Sequence, residues 1–174
     1  MPLGFKSVRR LGVHFSLADL AIKKLRRANL AIKSDTERDY EHHVVASLQA
    51  SPRLRKNLIT QIGDGEVDKV HQASLFGFRH RPDVAIGLDG TAVEIKVISG
   101  GSDVRDILGQ AIAYRMDYRF VILVLVDRTD DRQLVELCRD KKSREYTLLS
   151  NLARDSNVFS VVGPLSQGIN LVFQ

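Results

Sequence analysis

Residues 81–98 read RPDVAIGLDGTAVEIKVI, and this stretch decides the fold. Two runs in which apolar residues alternate with other types flank Asp89-Gly90, a dipeptide typical of two-residue turns in β-hairpins. A two-residue turn at this point predicts the register of the hairpin, with Asp83 opposite Lys96. The stretch therefore predicts two antiparallel strands joined by a tight turn.

Side chains on the two predicted strands separate into an apolar face and a charged face, because successive residues of a strand point to opposite sides. The apolar face is predicted to consist of Val84, Ile86, Leu88, Val93, Ile95 and Val97. The other face carries the charges Asp83, Glu94 and Lys96 beside the small residues Ala85, Gly87 and Ala92. Opposed Cβ atoms lie about 5 Å apart and diagonal ones about 7 to 8 Å apart, so the three charged side chains can surround one small volume.

Two carboxylates that share a site repel each other, and a cation between them removes the repulsion. Carboxylate oxygens are hard ligands that suit Mg²⁺ or Mn²⁺. A neighbouring lysine can hold or deprotonate an attacking water, or neutralise charge that develops in a transition state. The alternative is a salt bridge across the strands, Asp83 to Lys96, on a solvated sheet face where Glu94 has no role. The small neighbours favour a ligand site.

The remaining chain predicts helices on either side of the hairpin in sequence and a buried strand after it. The predicted helices cover 17–33, 34–50 and 102–117, with one or two more within 131–155. The predicted strands are 71–78, 81–88, 91–98, 120–126, 157–162 and 169–173. Residues 53–69 predict a short helix and a loop. This order is typical of a single α/β domain with a mixed sheet over residues 1–174.

The triplets Arg81-Pro82-Asp83 and Glu94-Ile95-Lys96 resemble the P-D…(D/E)-x-K signature of the restriction-endonuclease-like nucleases. The core of that family, helix, strand, strand, strand, helix, strand, is similar to the order predicted for residues 36–127. Residues 1–33 then form a basic helical N-terminal extension, and residues 128–174 form a C-terminal extension. The resemblance implies that Asp83, Glu94 and the backbone carbonyl of Ile95 bind Mg²⁺ or Mn²⁺, and that Lys96 serves the nucleophilic water.

Two further features support this resemblance. Many members of the family have a glutamate on the first core helix that completes the metal site, and Glu41 is the preferred match here, with Glu37 as the alternative. Gln110 and Tyr114 resemble the Q-x-x-x-Y motif of the exonuclease branch, and residues four apart share one helical face. The resemblance implies that both contact the substrate. The alternatives are an ordinary surface carboxylate, and a buried tyrosine beside a solvated glutamine.

The net charge of +5 is concentrated in the N-terminal third of the chain. Residues 1–60 hold 12 basic and 5 acidic side chains, a balance of +7, and residues 61–174 have a balance of −2. Such a field attracts polyanions, although a solvated helix surface has the same composition. The basic side chains predicted to bind the phosphate backbone are Lys23, Lys24, Arg26 and Arg27.

Several classes of protein are disfavoured by the composition. The lone cysteine, Cys138, cannot form an internal disulfide or a thiolate zinc site, which predicts a cytoplasmic protein. The longest apolar run, 120–126, is much shorter than the roughly 18 residues of a membrane span, so no membrane partner is expected. The chain contains neither a G-x-x-x-x-G-K-[S/T] loop nor a G-x-G-x-x-G motif, so nucleotide hydrolysis and dinucleotide binding have no support.

These features together predict a Mg²⁺-dependent nuclease that hydrolyses phosphodiester bonds in nucleic acid, and the resemblance favours DNA over RNA. The resemblance also implies a homodimer, since many relatives pair to cut two strands. The runner-up is a non-catalytic binding or assembly module on the same fold, and the third hypothesis is a structural domain. Endonuclease and exonuclease action both remain open at this stage.

Overall fold

The computed structural model describes residues 5, 8–34, 36–61, 70–165 and 168–174, which form an α/β fold with a mixed sheet flanked by helices. The helices are α1 (Gly12–Leu25), α2 (Glu37–Gln49), α3 (Pro52–Arg55), α4 (Gly101–Asp117), α5 (Gln133–Arg139) and α6 (Arg144–Ser156). The strands are β1 (Leu58–Thr60), β2 (Ala73–Leu75), β3 (Phe78–His80), β4 (Val84–Ile86), β5 (Thr91–Ile98), β6 (Phe120–Asp127), β7 (Val158–Gly163) and β8 (Leu171–Phe173). A 3₁₀-helix, Asp130–Arg132, precedes α5.

The main sheet has six strands in the order β1-β4-β5-β6-β7-β8. Strands β5, β6 and β7 are parallel to one another. The pairs β1–β4, β4–β5 and β7–β8 are antiparallel. Every residue of β6 is buried, which confirms that the unbroken apolar run is a central strand covered on both faces.

The helices cover this sheet and close the hydrophobic core. Helix α1 packs on α2 and on β6, and α4 packs on β5 and β6. Helices α5 and α6 pack against β6, β7 and β8. Cys138 of α5 is buried with a free thiol. No helix in the described ranges has the length and apolar character that a membrane crossing requires.

The β4–β5 hairpin differs from its predicted register by two residues. Val84 lies opposite Val93 and Ile86 opposite Thr91, so the turn is a four-residue loop, 87–90. Gly87 has a φ of +71°, and a Cβ on Gly90 would lie 2.4 Å from the Ile86 carbonyl oxygen, so the two glycines set this loop. A shift by two residues leaves strand residues on their predicted faces, but Leu88 falls in the loop and is 67% exposed. The prediction that Leu88 belongs to the apolar face was wrong.

The first strand of the main sheet also differs from the prediction. The predicted strand at 71–78 is instead the separate β2–β3 hairpin, which continues to His80. The strand that pairs with β4 is β1, within the stretch predicted as a helix and loop. Its three residues are too few to give a periodic signal. Residues 62–69 lie outside the described residues.

Helix α1 begins and ends earlier than predicted. It covers Gly12–Leu25 rather than 17–33, so the Ser16 and Asp19 pattern lies inside the helix and is not a cap. After the helix, the Asn29 side chain accepts a hydrogen bond from the Ala31 backbone N–H. Asparagine side chains that bond to nearby backbone favour turns over helices, which explains the early end.

The later elements agree closely with the sequence. Helix α2 ends at Gln49, one residue from the predicted end, and α4 covers the predicted third helix. The predicted interruption at 141–143 is the connection between α5 and α6. Strands β7 and β8 lie within about two residues of their predicted bounds.

Candidate active site

Two buried carboxyl groups lie side by side where β4 begins and β5 passes it. The Ile95 backbone N–H donates a hydrogen bond to Asp83 Oδ2 at 2.7 Å. The Asp83 backbone in turn lowers the pKa of Glu94 and so favours its charged form. The bond to the Ile95 N–H fixes the Asp83 carboxyl group to the opposite strand, β5. Glu94 is only 6% exposed.

A third carboxyl group reaches this pair from α2. The side chain of Glu41 is hydrogen-bonded to the side chain of Asp83. Glu41 is partly exposed and faces the sheet from the first half of α2. We call Asp83, Glu94 and Glu41 the acidic cluster. The structure therefore brings the preferred glutamate of the sequence prediction next to the two hairpin carboxylates.

The acidic cluster is short of positive charge. Burial raises the pKa of Asp83 above its ordinary value, and the neighbouring Glu94 and Glu41 raise it further. Burial also raises the pKa of Glu94, although the hydrogen bond from Tyr114 opposes this shift. Two carboxyl groups can form a hydrogen bond only if a proton lies between them. One positive species, either a proton or a cation, can therefore compensate the negative charge of the cluster.

Lys96 forms its ion pair with the other glutamate of α2. Lys96 Nζ lies 2.9 Å from Glu37 Oε1, and the same oxygen accepts a hydrogen bond from the Val97 backbone N–H at 3.3 Å. The Glu37 carboxylate raises the pKa of Lys96, so the ammonium group is charged at neutral pH. The salt bridge from Asp83 to Lys96 that the sequence left as an alternative was wrong. The two glutamates of α2 have different partners.

Helix α4 supplies the two residues of the Q-x-x-x-Y pattern. The Tyr114 hydroxyl is 3.0 Å from Glu94 Oε2 and 3.1 Å from the Arg81 carbonyl oxygen, both of which can accept its proton. Tyr114 is buried, and its polar end lies in the acidic cluster, so it fixes the rotamer of Glu94. Gln110 is half-buried, and its Oε1 atom has no hydrogen-bond partner among the described residues. That oxygen is buried and lies one helical turn from Tyr114.

Sequence reasoning missed Gln61, which follows β1. Its side-chain amide donates to the Pro82 carbonyl oxygen at 2.7 Å, and its backbone N–H donates to the Asp83 carbonyl oxygen at 3.2 Å. These bonds hold the backbone at Asp83, the residue immediately before β4. The sequence gives no signal for this role, because the contact joins segments about 20 residues apart through a strand that was not predicted.

The basic side chains line a different part of the surface. A groove of about 610 Å³ lies between the end of α1, α2 and the segment before β8. It is lined by Lys23, Lys24, Arg26, Arg27, Ser47 and Ile169. Asn170 fixes one wall, since its side-chain amide donates to the Leu25 and Ala28 carbonyl oxygens at the end of α1. Among the described residues that line the groove, none belongs to the acidic cluster.

The donor set of the acidic cluster fits Mg²⁺ or Mn²⁺. Within the part of the chain that the structure describes, no group of three or more His, Cys, Asp or Glu side chains is arranged so that it could hold a metal ion. Mg²⁺ commonly binds through one or two carboxylates together with waters and substrate phosphates, so a complete protein cage is not required. Burial, with a smaller contribution from the neighbouring carboxyl groups, raises the pKa values of Asp83 and Glu94, and a cation bound between them would favour their charged forms.

No family model matches this chain, and neither the curated proteins nor the solved structures contain a match to it.

Proposed function

We propose that this protein is a metal-dependent nuclease that hydrolyses phosphodiester bonds in DNA, with a restriction-endonuclease-like fold. The observation that carries the proposal is the acidic cluster, with Lys96 two residues from Glu94 and therefore on the same face of β5. The carboxyl groups come from α2, the start of β4 and the middle of β5, and a charged lysine lies two residues from Glu94. Oxygen ligands beside a fixed cation match the needs of phosphodiester hydrolysis.

The order of elements around the site supports the fold part of the proposal. The sequence α2, β1, β4, β5, α4, β6 gives helix, strand, strand, strand, helix, strand, with β1, β4, β5 and β6 adjacent in the sheet. This is the core order that the P-D…(D/E)-x-K resemblance implies. The β2–β3 hairpin is then an insertion between the first two core strands.

Asp83, Glu94 and Glu41 would hold the metal ion, together with the Ile95 carbonyl that the resemblance implies. Bound Mg²⁺ or Mn²⁺ polarises the phosphate and lowers the pKa of a bound water. Lys96 stays protonated beside Glu37, so its role is to donate a hydrogen bond to the water or to the developing phosphate charge rather than to remove a proton. Tyr114 orients Glu94, and Gln110, one helical turn away on α4, is the second residue that the resemblance assigns to substrate contact.

The groove at the end of α1 would bind the phosphate backbone away from the cleaved bond. Lys23 already pairs with Asp19 at 2.6 Å, so Lys24 and Arg27 are better candidates for phosphate contacts. We expect the double variant Lys24→Gln, Arg27→Gln to reduce the salt dependence of duplex binding. Two lost phosphate contacts correspond to a decrease of about 1.8 in the slope of log K against log salt concentration.

The matched control is the double variant Lys141→Gln, Lys142→Gln, which removes the same charge from the exposed connection between α5 and α6. Binding is measured by fluorescence anisotropy at several salt concentrations in EDTA. Equal slopes for the wild type and the groove variant would show that the groove residues make no phosphate contact.

The test of the proposed function is cleavage of labelled single-stranded, duplex and branched DNA with Mg²⁺, Mn²⁺ or EDTA. We expect cleavage with either metal and none in EDTA, and none by Asp83→Ala under any condition. The lengths of the labelled products then distinguish endonuclease from exonuclease action. DNA binding in EDTA without cleavage in metal would favour the non-catalytic module and reject the proposal.

A further inference from the structure

The β2–β3 hairpin carries two phenylalanines that the fold leaves in solvent. Phe76 is 91% exposed and Phe78 is 72% exposed. Leu75 lies opposite Phe78 in the last pair of the hairpin, so Phe76 and Gly77 form its turn. Neither aromatic ring contributes to the hydrophobic core or to the acidic cluster. Their exposure therefore has no explanation in the stability of the domain.

The turn itself makes Phe76 an unfavourable choice of residue. Phe76 has a φ of +52° and Gly77 a φ of +82°, the left-handed conformation that a two-residue turn of the primed type needs at both positions. Asparagine, aspartate or glycine is usual at the first position, because a larger side chain is strained there. Phe76 thus costs folding free energy without burial in return. A strained and exposed aromatic residue points to a role in binding.

The hairpin combines these rings with positive charge and a firm attachment. Arg79, beside Phe78, is exposed. At the base of the hairpin, the Ser74 backbone N–H donates to Asp117 Oδ2 at 3.0 Å, which ties the hairpin to the end of α4. Exposed aromatic rings on an element that also carries positive charge match the surfaces on which unpaired nucleic-acid bases stack.

The hairpin also lies close to the acidic cluster along the chain. Asp83 lies five positions after Phe78, and an extended chain spans at most about 17 Å over five steps. Stacked bases rise about 3.4 Å per step, so this distance corresponds to no more than about five nucleotides. A strand whose phosphate lies in the acidic cluster can therefore place nearby bases on the hairpin.

We propose that the β2–β3 hairpin stacks unpaired bases, so that the substrate is DNA that is single-stranded next to the cleaved bond. The link to cleavage depends on the proposed function, whereas base stacking does not. A second copy of this chain is a weaker occupant for the surface, because Arg79 would bring like charges together at such an interface.

The experiment measures binding of a fluorescein-labelled 20-residue oligothymidylate and of a 20-base-pair duplex in EDTA. The variant Phe76→Asn removes the ring and places a favourable residue in the turn, so the hairpin itself should fold at least as well. We expect its affinity for the single strand to fall about tenfold or more, and its affinity for duplex to change by less than about threefold. The variant Phe76→Trp keeps an aromatic ring at this position, so it should bind the single strand as the wild type does.

The matched control is Leu88→Asn, another exposed apolar side chain in a hairpin loop, which should bind as the wild type does. Thermal unfolding of all variants checks that the fold is intact. Unchanged single-strand binding by Phe76→Asn would overturn the inference, as would a wild type that binds only duplex. If Phe76→Asn changes only the sedimentation coefficient, the hairpin is an interface between copies and the inference is wrong.

The same measurements separate this inference from the proposed function. Binding that depends on Phe76, in a protein that cleaves no substrate with metal, would support the stacking hairpin and reject the nuclease. Metal-dependent cleavage together with wild-type binding by Phe76→Asn would support the nuclease and reject the stacking hairpin.

Discussion

Replacement of Lys96 by glutamine is expected to lower the rate of DNA cleavage by about a hundredfold to a thousandfold, the range for loss of one fixed donor in an active site. The ammonium group belongs to a side chain two residues from Glu94 on β5, and it lies 2.9 Å from Glu37 Oε1. Glutamine keeps most of the length but removes the charge. Single-turnover cleavage of the preferred substrate measures the effect.

Binding should respond differently from cleavage to this change. Lys96 is not a metal ligand in the proposed site, so the affinity for Mg²⁺ should change little, and anisotropy in EDTA should show DNA affinity within a few-fold of the wild type. A Lys96→Gln protein that cleaves at the wild-type rate would remove the lysine from the mechanism. Loss of DNA binding in parallel with cleavage would show that Lys96 binds the substrate and has no specific part in the chemical step.

Glu37→Gln is the matched control because it removes the partner of Lys96 and leaves the lysine in place. The pKa of Lys96 is raised chiefly by its hydrogen bond to Glu37, so this variant should lower that pKa towards its ordinary value near 10.5 and keep the lysine charged at pH 7. We expect cleavage within about tenfold of the wild type. A loss as large as that of Asp83→Ala would instead make Glu37 a metal ligand.

The face assignment of the hairpin could be predicted from sequence, whereas its register could not. Alternation with a period of two placed Asp83 and Glu94 on one face, and the structure brings them together through the Asp83 contact with the Ile95 backbone. The sequence Asp89-Gly90 predicted a two-residue loop, because Asp-Gly is typical of such loops. Gly87 extends the loop to four residues, and this shift by an even number leaves the faces unchanged.

Contacts between segments far apart in sequence explain what the sequence could not predict. Glu37 and Glu41 lie one turn apart on α2, and nothing local distinguishes the partner of Lys96 from the partner of Asp83. The choice depends on how α2 lies against β5, which is set by packing of the whole core. Gln61 was missed for the same reason, since its bonds to the Pro82–Asp83 segment need β1 to be paired with β4.

Replacement of Asp83 by asparagine is expected to stabilise the metal-free protein while it removes metal binding. Asparagine resembles the protonated carboxyl group, and it can still accept from the Ile95 N–H and donate to Glu41. The wild type must either bind a proton at Asp83 or bury a charge that its neighbours repel. We expect a gain of about 2 kcal/mol at pH 8, or roughly 4 to 8 °C in Tm.

The pH dependence gives the sign of this effect. Burial, Glu94 and Glu41 raise the pKa of Asp83 in the folded state above 3.8, its ordinary value in the unfolded chain. The folded state therefore binds more protons, and the stability of the wild type falls as the pH rises from about 4 towards the folded pKa. The advantage of Asp83→Asn should be absent below pH 4 and should increase above it. Asp130→Asn, an exposed carboxylate elsewhere, should show no such increase.

Addition of Mg²⁺ should reverse the order of the two proteins. A ligand that binds only the folded state stabilises it in proportion to the logarithm of its concentration above Kd, so Tm of the wild type should rise with Mg²⁺. Asp83→Asn lacks one of the proposed ligands, and its Tm should not respond. Thermal unfolding in EDTA and across a Mg²⁺ series measures both effects. Equal responses to Mg²⁺ would exclude Asp83 as a ligand, and a variant less stable than the wild type in EDTA would show that the Asp83 charge supports the fold.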